Sequence, residues 1–249
     1  MVARRRLQVG DRGRAALVPS SELGESPLWP AAAILTAAGL YVTLPRKFIL
    51  GKSSSGFFGD VRWVVAALTV VLLAALLVSV PHGAVARTLG WGAHRLRVGR
   101  RYVTLGIIVV LSVANAASIY LVVHVLVNGG AVVASPLLRA AVHLWCVNVL
   151  LFALWFWQLD GGGPGHRRTT DIRSRDFYFP QQTDPALFGE QWEPAFLDYL
   201  YVSYTNASAF SPTDTMPLTR WAKMLMLVQS AISLTLGLMV VARAVNILK

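Results

Sequence analysis

Residues 196–223, FLDYLYVSYTNASAFSPTDTMPLTRWAK, run directly into an apolar stretch over 224–248, and this order decides how the chain is built. A short amphipathic helix is predicted to open at 192–194 and to cover 194–205. A polar run over 206–219 follows it, carrying Pro212 and Pro217. The chain then turns apolar for long enough to cross a bilayer, which takes roughly 17 to 25 residues. A helix too short to span, a polar turn and a full span describe a segment that dips into a membrane, returns and then crosses it.

Working outward, the composition agrees. The chain has 249 residues, of which 55% are hydrophobic and 14% charged. Those proportions exclude an ordinary soluble domain and predict an integral membrane protein. Five apolar runs have spanning length: 28–44, 64–80, 102–127, 137–159 and 224–248. The first two sit at the lower limit for crossing a bilayer, and the first carries Pro30. The expected fold is an all-α membrane bundle of four to five transmembrane helices plus a re-entrant helix and loop. Its parts are a basic leader (1–27), an N-terminal membrane bundle (28–159), an interfacial cap (160–193) and the re-entrant segment with its last helix (194–249).

The order of residues in 194–249 resembles the pore domain of tetrameric potassium-type cation channels. In that family a pore helix ends in serine and threonine, and a filter, an aspartate and a P-x-T turn lead into the inner helix. Tyr201, Ser203 and Thr205 match the pore helix, Asp214 the aspartate, and Pro217, Thr219 and Arg220 the start of the inner helix. The same block, extended back to about Trp29, is similar to one in a large group of uncharacterised bacterial multi-pass membrane proteins, which implies the bacterial inner membrane. The channel resemblance implies a homotetramer around the last helix, with lipid and monovalent cations as its partners.

The filter departs from the family. Where TVGYG glycines present backbone carbonyls to the ion, this chain has Ala209, Phe210, Ser211, Pro212 and Thr213. Proline fixes one backbone angle and lacks the amide donor, so a potassium-selective filter is not expected. Ions would instead meet side-chain oxygens of Thr205, Asn206, Ser208, Ser211, Thr213 and a ring of Asp214 carboxylates, which attracts cations but selects poorly. On the last helix Met226, Gln229, Ser233, Gly237 and Val240 share one stripe and would line the pore. Two bland alternatives stand beside these roles. Ser211, Thr213 and Asp214 would also serve to turn the chain, and the stripe would also serve as a helix-packing face. A non-conducting scaffold or accessory subunit is the corresponding alternative function.

The remaining chemistry is sparse. Phosphate loops, nucleophile elbows, H-E-x-x-H and paired carboxylates within a span are absent from the sequence, so no enzyme is expected and no catalytic residue is assigned. Cys146 stands alone in an apolar run, which excludes an intramolecular disulfide and reads as a small buried hydrophobe. His124 and His143 flank a short turn and would lie at comparable depth, which gives a haem or redox subunit as a third alternative. Packing histidines are the simpler reading, and no metal or cofactor is assigned. The net charge of +11 sits in short segments between apolar runs, where it serves orientation and headgroup contact rather than nucleic acid. With five full spans the re-entrant loop shares a side with most of the basic residues. If the first run does not cross, the two sides come out nearly even.

Overall fold

The computed structural model describes residues 28–44, 65–71, 73, 90–127, 134–167, 174–189, 192–208 and 214–247. Within them the chain is mostly helical: α1 (Leu28–Thr43), α2 (Gly90–Val127), α3 (Ala134–Leu159), α4 (Pro164–Arg167), α5 (Pro185–Phe188), α6 (Phe196–Ala207) and α7 (Arg220–Ile247). Residues 65–71 are helical too. The strands β1 (Phe177–Tyr178) and β2 (Met216–Pro217) pair antiparallel, Phe177 opposite Pro217 and Tyr178 opposite Met216.

Three stretches are long and apolar enough to cross a membrane: Arg101–Val125, Leu137–Gly162 and Arg220–Ala242. They correspond to three of the five runs expected from sequence. The first run forms a helix of 16 residues, about 24 Å long against a hydrocarbon core of about 30 Å. Residues 64, 72 and 74–80 of the second run lie outside the described residues.

Helix α3 is the centre of the bundle. It packs against α1, α2, α6 and α7, and 61% of its apolar window is buried against 22% for α7. Its sequence explains this, because large apolar side chains surround it. Leu137, Leu144, Leu151 and Leu154 join Ile34, Ile108 and Leu111 in one core. Phe152 and Phe156 join Phe177, Phe179, Tyr199 and Met226 in another. That second core binds the cap and α6 to the bundle. By contrast α7 leaves Leu227, Leu234, Leu238 and Val241 exposed along one side, a surface suited to lipid or to another membrane helix.

At the C-terminal end of α3 the chain reverses through Gly161, Gly162 and Gly163, with φ of 56°, 84° and 94°. Side chains rarely adopt these angles, and a methyl group on Gly163 would also collide with the Gln158 carbonyl oxygen at 2.8 Å. The turn begins a cap of short helices and the β1–β2 clip. Leu218 N–H donates to the Asp176 carbonyl, and the Thr219 hydroxyl donates to the Asp176 carboxylate at 2.7 Å. The same Thr219 oxygen accepts from Ala222 N–H, so it caps the N-terminus of α7 and fixes that terminus beside the cap.

Candidate functional site

The polar residues of 194–233 come together on α6 and on the helices that enclose it. The first turn of α6 is anchored in the cap. The Tyr199 hydroxyl donates to Asp160 Oδ2 at 2.5 Å and accepts from Arg167 Nη1 at 2.6 Å. Asp160, fully buried, also accepts the N–H groups of Asp176 and Phe177. Arg167 donates onward to the carbonyls of Pro194 and Trp157, and Arg175 pairs with Glu193 at 2.5 Å. Burial favours such pairing, although Arg175 Nε and Nη1, Arg167 Nε and Glu193 Oε2 keep no hydrogen-bond partner. Burial pushes the Tyr199 phenol well above its usual range, with Arg167 opposing the shift and Asp160 reinforcing it. Burial also raises the Asp198 carboxyl, although it accepts the Ala195 N–H at 2.7 Å at the N-terminus of α6.

From this anchor α6 runs down along α3. Phe196 meets Trp157 edge to face at 6.1 Å between centroids. Ser203 donates to the Val149 carbonyl at 2.6 Å, and the Ala207 carbonyl accepts from Trp145 Nε1 at 3.4 Å. As residue numbers rise on α6 they fall on α3, so the two helices are antiparallel. The 12 residues of α6 carry the chain about 18 Å from the cap toward the middle of α3. Asp214 is already back at the start of α6, where it lines a recess of about 270 Å³ together with Asp198, Tyr201, Thr215 and Gln181. The chain therefore enters and leaves at one end of the bundle, and α7 starts from that same end.

A polar seam secures α6 on its other side. Asn206 Nδ2 donates to the Met226 carbonyl at 2.9 Å and to Gln229 Oε1 at 2.8 Å. Gln229 Nε2 in turn donates to the Ser203 carbonyl and hydroxyl at 2.9 and 2.7 Å. Ser230 donates to the carbonyl and side-chain oxygens of Asn206, and Asn148 Nδ2 donates to the Ser233 hydroxyl at 3.0 Å. A helix ends with carbonyls that lack partners. Those of α6 find them: Tyr204 and Thr205 receive the Ser208 hydroxyl, Asn206 that of Ser230, and Ala207 the Trp145 indole. Such complete satisfaction is what burial away from water requires.

The residues expected to form an ion path are thus divided. Thr205 and Asn206 are buried, and the Thr205 hydroxyl donates to the Tyr201 and Val202 carbonyls of its own helix. Ser208 is half-buried at the end of α6, and Asp214 is exposed. Ser211 and Thr213 lie outside the described residues. The residues of the predicted pore-lining stripe differ in exposure within the protomer. Met226, Gln229 and Ser233 are 9%, 0% and 5% exposed and face α6 and α3, because Gln229 satisfies groups that would otherwise be buried without partners. Gly237 is exposed and Val240 half-buried. The open face of α7 carries Leu227, Leu234 and Leu238 instead.

Sequence reasoning missed Asp160, Arg167 and Arg175, reading them only as charges of a surface cap. Their signal was position, since each stands beside a glycine turn or an aromatic run at the end of a span. Cys146 is half-buried and free. His143 Nδ1 lies 2.6 Å from the carbonyl oxygen of Arg139 on its own helix, and His124 stacks at 5.9 Å on Tyr120. Among the described residues no three histidine, cysteine, aspartate or glutamate side chains gather as a metal site would require. Comparison with protein-family models, with curated proteins and with solved structures returned no match.

Proposed function

We propose that this chain is the protomer of a pore-loop membrane protein, a homotetramer that passes monovalent cations passively and with poor selectivity. One observation supports this reading above the others: α6 descends beside a membrane-length helix and ends there, while Asp214 is back beside its first turn. Chain that ends partway through a bilayer is tolerated where protein encloses it or where it lines a water-filled cavity. The C-terminal end of a helix carries partial negative charge, and at the mouth of the recess stand the carboxylates of Asp198 and Asp214. Both features favour cations over anions. Of the described residues, Ser208 and Asp214 stand at the two ends of the proposed path. The exposed face of α7 supplies the contact between protomers or the wall of the cavity, in place of the Gln229 stripe.

Ion flux into proteoliposomes tests the proposal, with potassium, sodium and chloride gradients and empty vesicles as the control. Sodium and potassium flux is expected at similar rates, and Asp214→Asn should reduce it at least several-fold, because a symmetric ring loses all its carboxylates together. Folded tetramer that carries no cation under any gradient would overturn the reading.

The second reading is a non-conducting scaffold with the same loop. The polar seam favours it, since Ser203, Asn206, Gln229 and Ser233 spend their hydrogen bonds inside the protomer. In a scaffold Asp214→Asn changes no flux, and its effects are confined to stability.

A further inference from the structure

The apolar stretches of α2 and α3 meet the membrane boundary together, at Arg101 on one helix and Gly162 on the other. The two sites touch. A methyl group built on Gly162 would lie 3.8 Å from Arg101 Nη1, and one built on Gly163 would lie 4.0 Å from Arg101 Nε. The Arg101 guanidinium is therefore laid against the backbone of the glycine turn, and its residue is half-buried there. Among the described residues it has no hydrogen-bond or ion-pair partner. The nearby described carboxylates have other partners: Asp160 accepts from Tyr199 and from two backbone N–H groups, and Glu193 accepts from Arg175 through Oε1, while its Oε2 stays buried without a partner.

A guanidinium has five N–H donors and cannot shed its charge, so packing it half out of water without an acceptor is costly. A second observation concerns the other side of the turn. Arg175 is only 5% exposed, yet its Nε and Nη1 have no partner, and Arg167 Nε comes no closer than 4.0 Å to Asp160. Methyl groups on Gly161 would meet the Cγ atoms of both arginines, at 3.6 and 3.4 Å. Among the described residues, several guanidinium donors around this turn thus lack an acceptor. At the depth where an apolar helix begins, the abundant acceptor is the phosphate of a lipid headgroup, whose oxygens match the planar fork of arginine. The sequence also continues α2 outward from Arg101 as 90–100, with Arg95, Arg97 and Arg100 and no acidic residue, a field that favours lipids of net negative charge.

We propose that the notch between Arg101 and the turn 161–163 binds the phosphate of an anionic phospholipid, with Arg101 as its direct ligand. The site stands apart from the ion path and does not depend on conduction.

Binding to the full-length detergent-solubilised protein is to be measured by native mass spectrometry with phosphatidylglycerol, phosphatidylcholine and inorganic phosphate in separate titrations. Wild type should retain phosphatidylglycerol in preference to phosphatidylcholine. Arg101→Gln should weaken phosphatidylglycerol binding about 10-fold, as loss of a charged hydrogen bond implies, and Arg101→Lys should fall between the two. Arg139→Gln, at an exposed arginine on the far end of α3, is expected to stay within about twofold of wild type by the same scale. Equal weakening by Arg101→Gln and Arg139→Gln would show diffuse charge attraction and overturn the site, as would undiminished binding to Arg101→Gln. Displacement of phosphatidylglycerol by millimolar inorganic phosphate would assign the notch to the free anion and overturn the lipid. Should Arg101→Gln fail to fold, Arg101→Lys decides alone, and wild-type affinity in that variant counts against the fork.

Discussion

Tyr199 is the residue on which the cap and the re-entrant helix depend. Its hydroxyl is the link between the Asp160 carboxylate and the Arg167 guanidinium, so Tyr199→Phe leaves a buried charge on each side one partner short. The expected cost is about 1–3 kcal/mol, read as a lower thermal midpoint in detergent. Its pH dependence has a definite sign. The folded state holds the phenol above its ordinary value, so the unfolded chain loses this proton first as pH rises. The stabilisation is complete below about pH 10 and is lost as pH climbs through the raised folded value. Wild type should therefore lose its stability advantage over Tyr199→Phe in strongly alkaline buffer, and an advantage that grows there would refute the account. Gln229 carries the corresponding load in the seam. Gln229→Leu takes one hydrogen-bond partner from each of Asn206 and Ser203 and should cost about 1–2 kcal/mol, measured in the same way. From sequence Gln229 was expected on the stripe of the last helix that would line the pore, with a packing face as the alternative. Its stripe was visible, but what it faced was not, because periodicity shows that a helix has two sides and does not say which side meets the protein.

Among the elements, α6 was the most legible. A short amphipathic stretch with serine, threonine and asparagine at one end, a prolyl turn and a long apolar run gave a half-span expected at 194–205, and the helix is Phe196–Ala207. The start of α7 was legible for a chemical reason: Thr219 is a good N-cap residue, and Arg220 begins the helix behind it. The cap was not, because its order comes from contacts far apart in sequence, such as Asp160 to Tyr199 and Phe177 to Pro217. Depth is the property of α6 most open to measurement. With Cys146 replaced by alanine, a nitroxide at Tyr204, which is exposed near the deep end of the helix, should be relaxed by dissolved oxygen and shielded from a water-soluble nickel complex. One at exposed Leu197 should be closer to the aqueous pattern. Equal accessibility at both positions would show a helix lying flat on the surface.

For the whole molecule, the described helices show which ends of the apolar stretches share a side. The beginnings of the apolar stretches of α2 and α7 and the end of that of α3 lie on the cap side. Among the described residues that side carries Arg95, Arg97, Arg100, Arg101, Arg167, Arg175, Arg220 and Lys223, whereas Arg139 and Arg243 lie toward the other. The positive-inside rule then predicts a cytoplasmic cap, with the re-entrant loop opening from the cytoplasm, opposite to its place in potassium channels. A cysteine at Thr183, exposed in the cap, should react with a membrane-impermeant maleimide in inverted vesicles and not in intact cells; the reverse pattern would invert the molecule. The manner in which the carbonyls at the end of α6 are satisfied has a further consequence, for biosynthesis. Their donors include Ser230 on α7, which follows α6 in the chain and enters the membrane after it. Until α7 has passed through the insertion machinery, sinking α6 into lipid would strand those oxygens in hydrocarbon, and the helix is too short to be threaded across as a span. On the proposed reading its descent is therefore a late step, taken once α7 is in place beside it.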